Sequence, residues 1–298
     1  MSGTGLPVER TAETVSASAQ PPAQRKIWLC ADDYGISPSV SSAIRDLIGK
    51  GRINATSVMV VAPSFHRSEA AALTALRAHG ARAAIGLHLT LSAPFQPLTG
   101  GFTPITDKAF PSYGMMLMRA CLHQLDRKAL ETEIAAQIRM FGYEFGRAPD
   151  YIDGHQHVHI FPQVQDALFK AAREMAPNAW IRQCGRAGPL TARIGDPKGL
   201  VLDLLSRRFR ERAAAMGVKT NSAFAGTYAF NDGADFAALF PRFLDGIPDG
   251  GLIMCHPGVV DAELRRLDPL TTLREKEYVY FSGESFPKLL ASQGITLA

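Results

Sequence analysis

Segments that read as strands alternate with segments that read as helices along most of this chain, and ionisable residues collect where the strands end. Residues 27–31, 56–61, 84–91, 151–153, 180–182, 222–227 and 252–255 have strand character, from apolar runs and β-branched residues. Residues 40–50, 65–79, 129–145, 162–175, 200–216, 236–245 and parts of 271–293 have helical character. Strands joined by helical crossovers run parallel. Repetition of this unit predicts an α/β fold whose sheet closes, or nearly closes, into a barrel. A doubly wound open sheet has the same pattern. The barrel is favoured because βα barrels gather active-site side chains at the C-terminal ends of several strands, which is where the ionisable motifs fall.

The densest motif is Asp153-Gly154-His155-Gln156-His157-Val158-His159, with three of the eight histidines at alternate positions. In extended backbone, side chains at i, i+2 and i+4 share a face, so Asp153, His155, His157 and His159 are expected to converge. Neutral imidazole is a frequent metal ligand, and its second nitrogen needs a partner such as a carboxylate. Three more motifs supply matching parts: Cys30-Ala31-Asp32-Asp33-Tyr34-Gly35, Gly86-Leu87-His88-Leu89-Thr90-Leu91 and Ile253-Met254-Cys255-His256-Pro257-Gly258. An acidic pair or a strand histidine means little alone; together, at strand ends, they point to a metal site. In regular extended backbone Asp32 and Asp33 would point oppositely, so the strand is expected to turn here, with Gly35 giving it freedom.

Bulk properties exclude several classes. At 298 residues the chain can bury a sizeable core. Its 46% hydrophobic and 20% charged residues are ordinary for a soluble globular protein. A net charge of +4, without basic residues interleaved with aromatics, gives no support for nucleic-acid binding. No apolar run is long enough for a transmembrane helix. Residues 1–24, rich in Ser, Thr, Ala and Pro, read as a disordered tail, and residues 25–298 as one domain. The four cysteines lack CxxC spacing, which suits a reducing cytoplasm and not a zinc ribbon or a disulfide framework. Cys30 and Cys255 read as small buried hydrophobes. Arg274, Glu275 and Glu277 read as an ordinary charged helix face, with a place along the pocket wall as the alternative. Residues 92–113, broken by Pro and Gly, form a candidate lid or substrate loop.

The motifs Ala31-Asp32-Asp33-Tyr34-Gly35, Gly86-Leu87-His88-Leu89, Asp153 to His159 and Cys255-His256-Pro257-Gly258 resemble, in order and spacing, those of the YdjC-like carbohydrate deacetylases. That family includes chitooligosaccharide deacetylases and a deacetylase associated with hopanoid biosynthesis. The resemblance runs from about Lys26 to the C-terminus; Tyr34 stands where Phe is commoner. It implies an irregular, TIM-barrel-like (β/α) barrel related to the polysaccharide deacetylase barrels. It also implies hydrolysis of the N-acetyl group of an amino sugar. The resemblance selects Asp33, His88 and His155 as ligands of one divalent ion. Asp32 is then the base that receives the water's proton, and His256 the candidate acid for the leaving amine. Asp153, His157, His159 and Tyr34 are expected behind these groups or along the pocket wall. Asp153, His157 and His159 also stay open as replacements for His155. The metal is Zn2+ or Mg2+: two imidazoles favour a transition ion, and the family is described with both.

Two substrate subclasses compete, a soluble oligosaccharide and a sugar carried on a lipid. Gly114-Met115-Met116-Leu117-Met118 is apolar and adaptable. The helix at 200–216 combines Leu200, Val201, Leu204, Leu205 and Phe209 with Arg207, Arg208, Arg210 and Arg212. Such a helix can lie on an anionic membrane, and a helix covering a barrel has much the same pattern. The pair tilts the expectation slightly toward a lipid-linked, hopanoid-like substrate with peripheral membrane contact. Two other classes stay in play: a non-catalytic carbohydrate-binding barrel, and another single-metal amidohydrolase or metallohydrolase.

Overall fold

The computed structural model describes Met1 and residues 24–102, 108–187 and 197–298. Most of the segment expected as a tail lies outside these residues. Seven parallel strands form one sheet: β1 (Arg25–Tyr34), β2 (Ala55–Val58), β3 (Ala84–Leu89), β4 (Tyr151–Gly154), β5 (Trp180–Ile181), β6 (Phe224–Ala225) and β7 (Leu252–Cys255). Their spatial order is β5-β4-β3-β2-β1-β7-β6, and a short β8 (Ile295–Leu297) pairs with the start of β1. Irregular backbone bridges the gap between β5 and β6. Ile181 N donates to Lys219 O at 2.9 Å, Asn221 bonds to Gln183 through both of its side-chain polar atoms, and Arg186 pairs with Phe224. The result is an irregular (β/α) barrel, and the open-sheet alternative is set aside.

The helices on the outside are α1 (Pro38–Gly49), α2 (Arg67–Ala78), α3 (Tyr113–Cys121), α4 (Arg127–Phe145), α5 (Val164–Met175), α6 (Pro197–Ala215), α7 (Phe236–Leu244), α8 (Ala262–Leu267), α9 (Thr272–Ser282) and α10 (Ser285–Ser292). Local chemistry sets several of their ends. Ser37 caps α1 by accepting from Val40 N, with Pro38 in the first turn. Asp126 caps α4, and Gly146 ends it in the left-handed conformation at φ 66°. Helix α5 begins at Val164, not at Pro162, because Pro162 and Gln163 (φ 61°) first make a turn.

Two outer segments differ from expectation. The described part of 92–113 is packed in place. Phe95, Phe102 and Phe110 are buried, and the Glu133 carboxylate accepts from Leu98 N, Thr99 N and Thr99 Oγ1 at 3.1, 2.9 and 2.7 Å. Through Phe95 it also reaches the ring of His155. On α6, the face turned inward is Gly199, Asp203, Ser206, Phe209 and Ala213. Of the apolar set expected to pack, only Phe209 is fully buried; Leu200, Val201 and Leu204 are exposed. No helix among the described residues is long and apolar enough to cross a membrane.

Candidate active site

Each strand-end motif delivers its side chains to the C-terminal mouth of the barrel. There they line a cleft of about 960 Å³ whose wall includes Asp32, Asp33, His88, His155, His157, Tyr228, Phe230, His256 and Arg274. The turn needed to separate Asp32 from Asp33 is made at Asp33 itself. Its φ is 66°, and the β1–β2 register shifts between Ala31 and Tyr34. Such an irregularity re-aims side chains next to active sites. Both carboxylates therefore reach the cleft while staying almost fully buried.

Asp33, His88 and His155 come together. Asp33 Oδ1 lies 3.2 Å from His88 Nε2 and 3.0 Å from His155 Nδ1, while Asp33 Oδ2 accepts from Arg274 Nη2 at 2.6 Å. His88 Nδ1 donates to Asp153 Oδ1 at 2.6 Å and lies 3.0 Å from Ser57 Oγ. With the Nδ1 proton so engaged, Nε2 presents a lone pair toward a carboxylate oxygen. Two acceptors at that distance require a positive charge between them, either a proton or a metal ion. Burial opposes charging of His88, yet Asp153 and Asp32 pull its pKa up to about 10 in the absence of an ion. Two imidazole nitrogens and one carboxylate oxygen, buried and mutually close, fit a divalent ion with an open coordination position. His155 is buttressed edge-on by Phe95, with ring centroids 5.6 Å apart.

A second buried cluster of similar composition, Cys30, Asp32 and Asp153, holds a different cation. Arg182 fills it. Its guanidinium donates to Asp32 Oδ2 and Oδ1 at 2.7 and 2.6 Å, pairs with Asp153, and reaches Cys30 Sγ at 3.0 Å. Burial alone would raise the Asp32 carboxyl. The guanidinium overcomes it and holds Asp32 well below the ordinary carboxylate range. Asp33 is likewise held down against burial, by Arg274 and His155. Tyr151 closes the back of this cluster, its hydroxyl 2.9 Å from Cys30 Sγ. Its ring lies where a Cβ on residue 86 would come within 2.5 Å, so Gly86 is needed for the packing.

The alternation expected through the histidine cluster stops at Gly154. The chain leaves the strand and enters a 3-10 turn over His155–Ile160, with Gln156 and His157 at φ 53° and 59°. His155 and His157 reach the cleft, but His159 turns inward and donates from Nε2 to Arg182 O at 2.9 Å. Asp153 lies behind His88 and not in the cleft. Tyr34 is not on the pocket side at all: its hydroxyl bonds to Glu69 at 2.9 Å and receives a bond from Arg45 at 2.8 Å.

His256 lines the cleft after β7. Burial, reinforced by Arg274 and opposed by Asp33 and Asp32, pushes its pKa down to about 4, so the ring is neutral near pH 7. Its backbone N–H donates to Glu277 Oε2 at 2.5 Å, and Tyr228 hydroxyl donates to Glu277 Oε1 at 2.7 Å. Glu277 and Arg274 are both fully buried on α9 and face the site; they do not form an exposed charged face. Glu275 stays outside, as expected. Arg182, with no motif around it, left no signal in the sequence. The spacing of Arg274 and Glu277, one helical turn apart, was the available signal for those two.

Relatives bear on this arrangement. A carbohydrate deacetylase of Clostridium beijerinckii is 25% identical over 281 residues, covering 89% of this chain and 98% of that protein. A chitooligosaccharide deacetylase of Yersinia pestis is 29% identical over 144 residues, covering 48% of this chain and 54% of that protein. This second match thus spans only about half of each chain. Among solved structures, an Enterococcus faecalis protein suggested to cleave cellobiose phosphate shares the fold at a TM-score of 0.72 and 20% identity, covering 93% of this chain and 97% of that one. The family described as YdjC-like protein matches residues 26–292, from the start of β1 to the end of α10, and the chain belongs to that family.

Proposed function

We propose that this protein is a metal-dependent hydrolase that removes the N-acetyl group from an amino sugar. The observation that carries the reading is the buried Asp33–His88–His155 cluster, in which two imidazole nitrogens and a carboxylate oxygen face one another beside a second carboxylate and a histidine in the same cleft. Relatives named as carbohydrate and chitooligosaccharide deacetylases support the choice of substrate class.

In this reading Asp33, His88 and His155 hold one divalent ion, Zn2+ or Mg2+. When bound, such an ion polarises a carbonyl and lowers the pKa of water from about 15.7 to about 7. Asp153 keeps His88 in the tautomer that presents Nε2. Asp32 stays ionised under the Arg182 fork and accepts the proton of the attacking water at a carboxylate oxygen. His256, neutral near pH 7, first takes up a proton, the one that Asp32 receives from the water being the available source, and then passes it to the departing amine. Arg274 fixes Asp33 by its second oxygen, leaving Oδ1 aimed at the histidines. The four described cysteines are all free, which fits a cytoplasmic location.

A lipid-carried sugar is a second reading, favoured by one observation. Leu200, Val201 and Leu204 are exposed on the same helix whose Gly199 and Leu202 line the cleft, and Tyr113, also in the cleft wall, is 42% exposed. That apolar rim suits an apolar aglycone or a lipid surface. A screen for acetate release across amino sugars, sugar oligomers and glycolipids, with and without added Zn2+ or Mg2+, tests both. Absence of metal-dependent release from every N-acetylated sugar would rule out the deacetylase.

A further inference from the structure

Phe230 is 43% exposed at the cleft wall, yet its surroundings are built to hold it still. Its ring packs on Tyr228 with centroids 4.3 Å apart and meets His256 edge-on at 5.6 Å. Tyr228 is fixed by its bond to Glu277 and by contact with Phe236 and Phe243. On the other side of the loop, Lys276 Nζ donates to the carbonyls of Asp232 and Ala234 at 2.6 and 3.2 Å. A loop pinned at both ends that keeps a large apolar ring half in water is preorganised for a ligand.

The same loop separates the cleft from a second hollow of about 390 Å³, which shares Tyr228, Ala229 and Asn231 with it and continues to Asp235 and Arg242. Among the described residues, the Asn231 amide and the Arg242 guanidinium make no hydrogen bond within the protein, so their donors are available to hydroxyl groups. A flat apolar face flanked by free polar groups matches a pyranose ring, which has an apolar C–H face and a polar edge.

We propose that Phe230, Asn231 and the adjoining hollow form a second sugar subsite, which takes the ring next to the acetylated one and carries the rest of an oligosaccharide away from the metal cluster. This rests on the deacetylase reading for the position of the reacting sugar. Phe230 is thereby a specificity-determining residue for chain length, and it acts in binding rather than in proton transfer.

Titration calorimetry on the Asp32→Asn protein, which is expected to bind without turnover, compares N-acetylglucosamine with triacetylchitotriose. The trisaccharide binds more tightly than the monosaccharide. Phe230→Ala weakens the trisaccharide about 3- to 10-fold, the scale of one aromatic contact, and the monosaccharide by less. Phe230→Trp restores most of the loss. Equal affinity for the two sugars, or an equal effect of Phe230→Ala on both, overturns the subsite. Acetate release by the wild-type protein is measured on the same sugars. Phe230-dependent binding without release keeps the subsite and removes the deacetylase, while release without Phe230 dependence does the reverse.

Discussion

Arg182 grips both oxygens of Asp32 and also pairs with Asp153, so one guanidinium ties the candidate base to the carboxylate that orients His88. All three side chains are buried. Two carboxylates so close could not both ionise without a cation among them. Arg182 supplies that charge to one side of the cluster, and Arg274 supplies it on the Asp33 side.

Replacement of Arg182 therefore acts on stability and on the site together. Arg182→Ala leaves buried Asp32 without its guanidinium and Asp153 with His88 alone, and costs about 3–5 kcal/mol, read as a lowered denaturation midpoint. Arg182→Lys keeps the charge but cannot fork across Asp32 and reach Asp153 at once. It should fold and lose activity at least tenfold. Wild-type turnover in Arg182→Lys would show that the fork geometry is unimportant.

His88→Ala removes one of the three nitrogen and oxygen donors that face one another, and should abolish most metal retention while the chain stays folded. Asp153→Asn leaves all three donors in place but loosens the His88 tautomer, so metal affinity should fall by about 10- to 100-fold. Metal content by elemental analysis checks both. Full occupancy in His88→Ala would sink the ligand assignment.

The alternation of strands and helices, the barrel and the meeting of Asp33, His88 and His155 were legible from the chain, the last through a resemblance and not through spacing. The spacing argument failed at the histidine cluster for a physical reason. Alternation holds only while the backbone stays extended, and the positive φ of Gln156 and His157 ends the strand at Gly154. Tyr34 was misplaced because the bulge at Asp33 reverses the face of the residue after it. Buried Arg182 was illegible because arginine is normally solvated and only partners distant in sequence make its burial affordable; Arg274 was named but read as solvated for the same reason.

Residues 1–24 should be dispensable. The ties of β1 start at Arg25, whose backbone N bonds to Gly294 O at 3.0 Å and whose guanidinium bonds to Leu244 O and Ile247 O. A truncation starting at Arg25 keeps these contacts and should keep its melting temperature and activity. A marked drop in either would mean that the segment packs on the barrel.

Asp32→Asn and His256→Ala should both retain metal, since neither residue belongs to the donor cluster. Asp32→Asn loses turnover because an amide cannot take the water's proton. His256→Ala should lose about 10²–10⁴-fold on an amide substrate, and much less on an activated aryl acetate whose leaving group needs little protonation. Equal losses on amide and ester would reassign His256 to positioning or oxyanion binding.

Glu277 gives the pH dependence a sign that can be checked. Burial raises its carboxyl from 4.5 to about 7, and the bonds from Tyr228 and His256 only partly offset this. A group whose pKa is higher in the folded state contributes stability that is fully present below its unfolded value and is lost as pH rises through its folded value. Glu277 thus favours the fold below about pH 4.5, and that contribution fades between there and about pH 7. Its size is on the order of 3 kcal/mol. Glu277→Gln cannot ionise, yet it can still accept from His256 N and donate to the Tyr228 hydroxyl oxygen. The stability of the wild type relative to Glu277→Gln should therefore decline from pH 4.5 to 7 and level off above it. His256 runs the opposite way: its folded value of about 4 lies below the usual 6.5, so its contribution is lost as pH falls from 6.5 to 4. Because His256 is present in both proteins, its effect cancels in the comparison. Denaturant titrations of the pair at pH 4.5, 6 and 8 measure the difference, and a flat or rising profile would show that Glu277 is ionised at no cost in the folded protein.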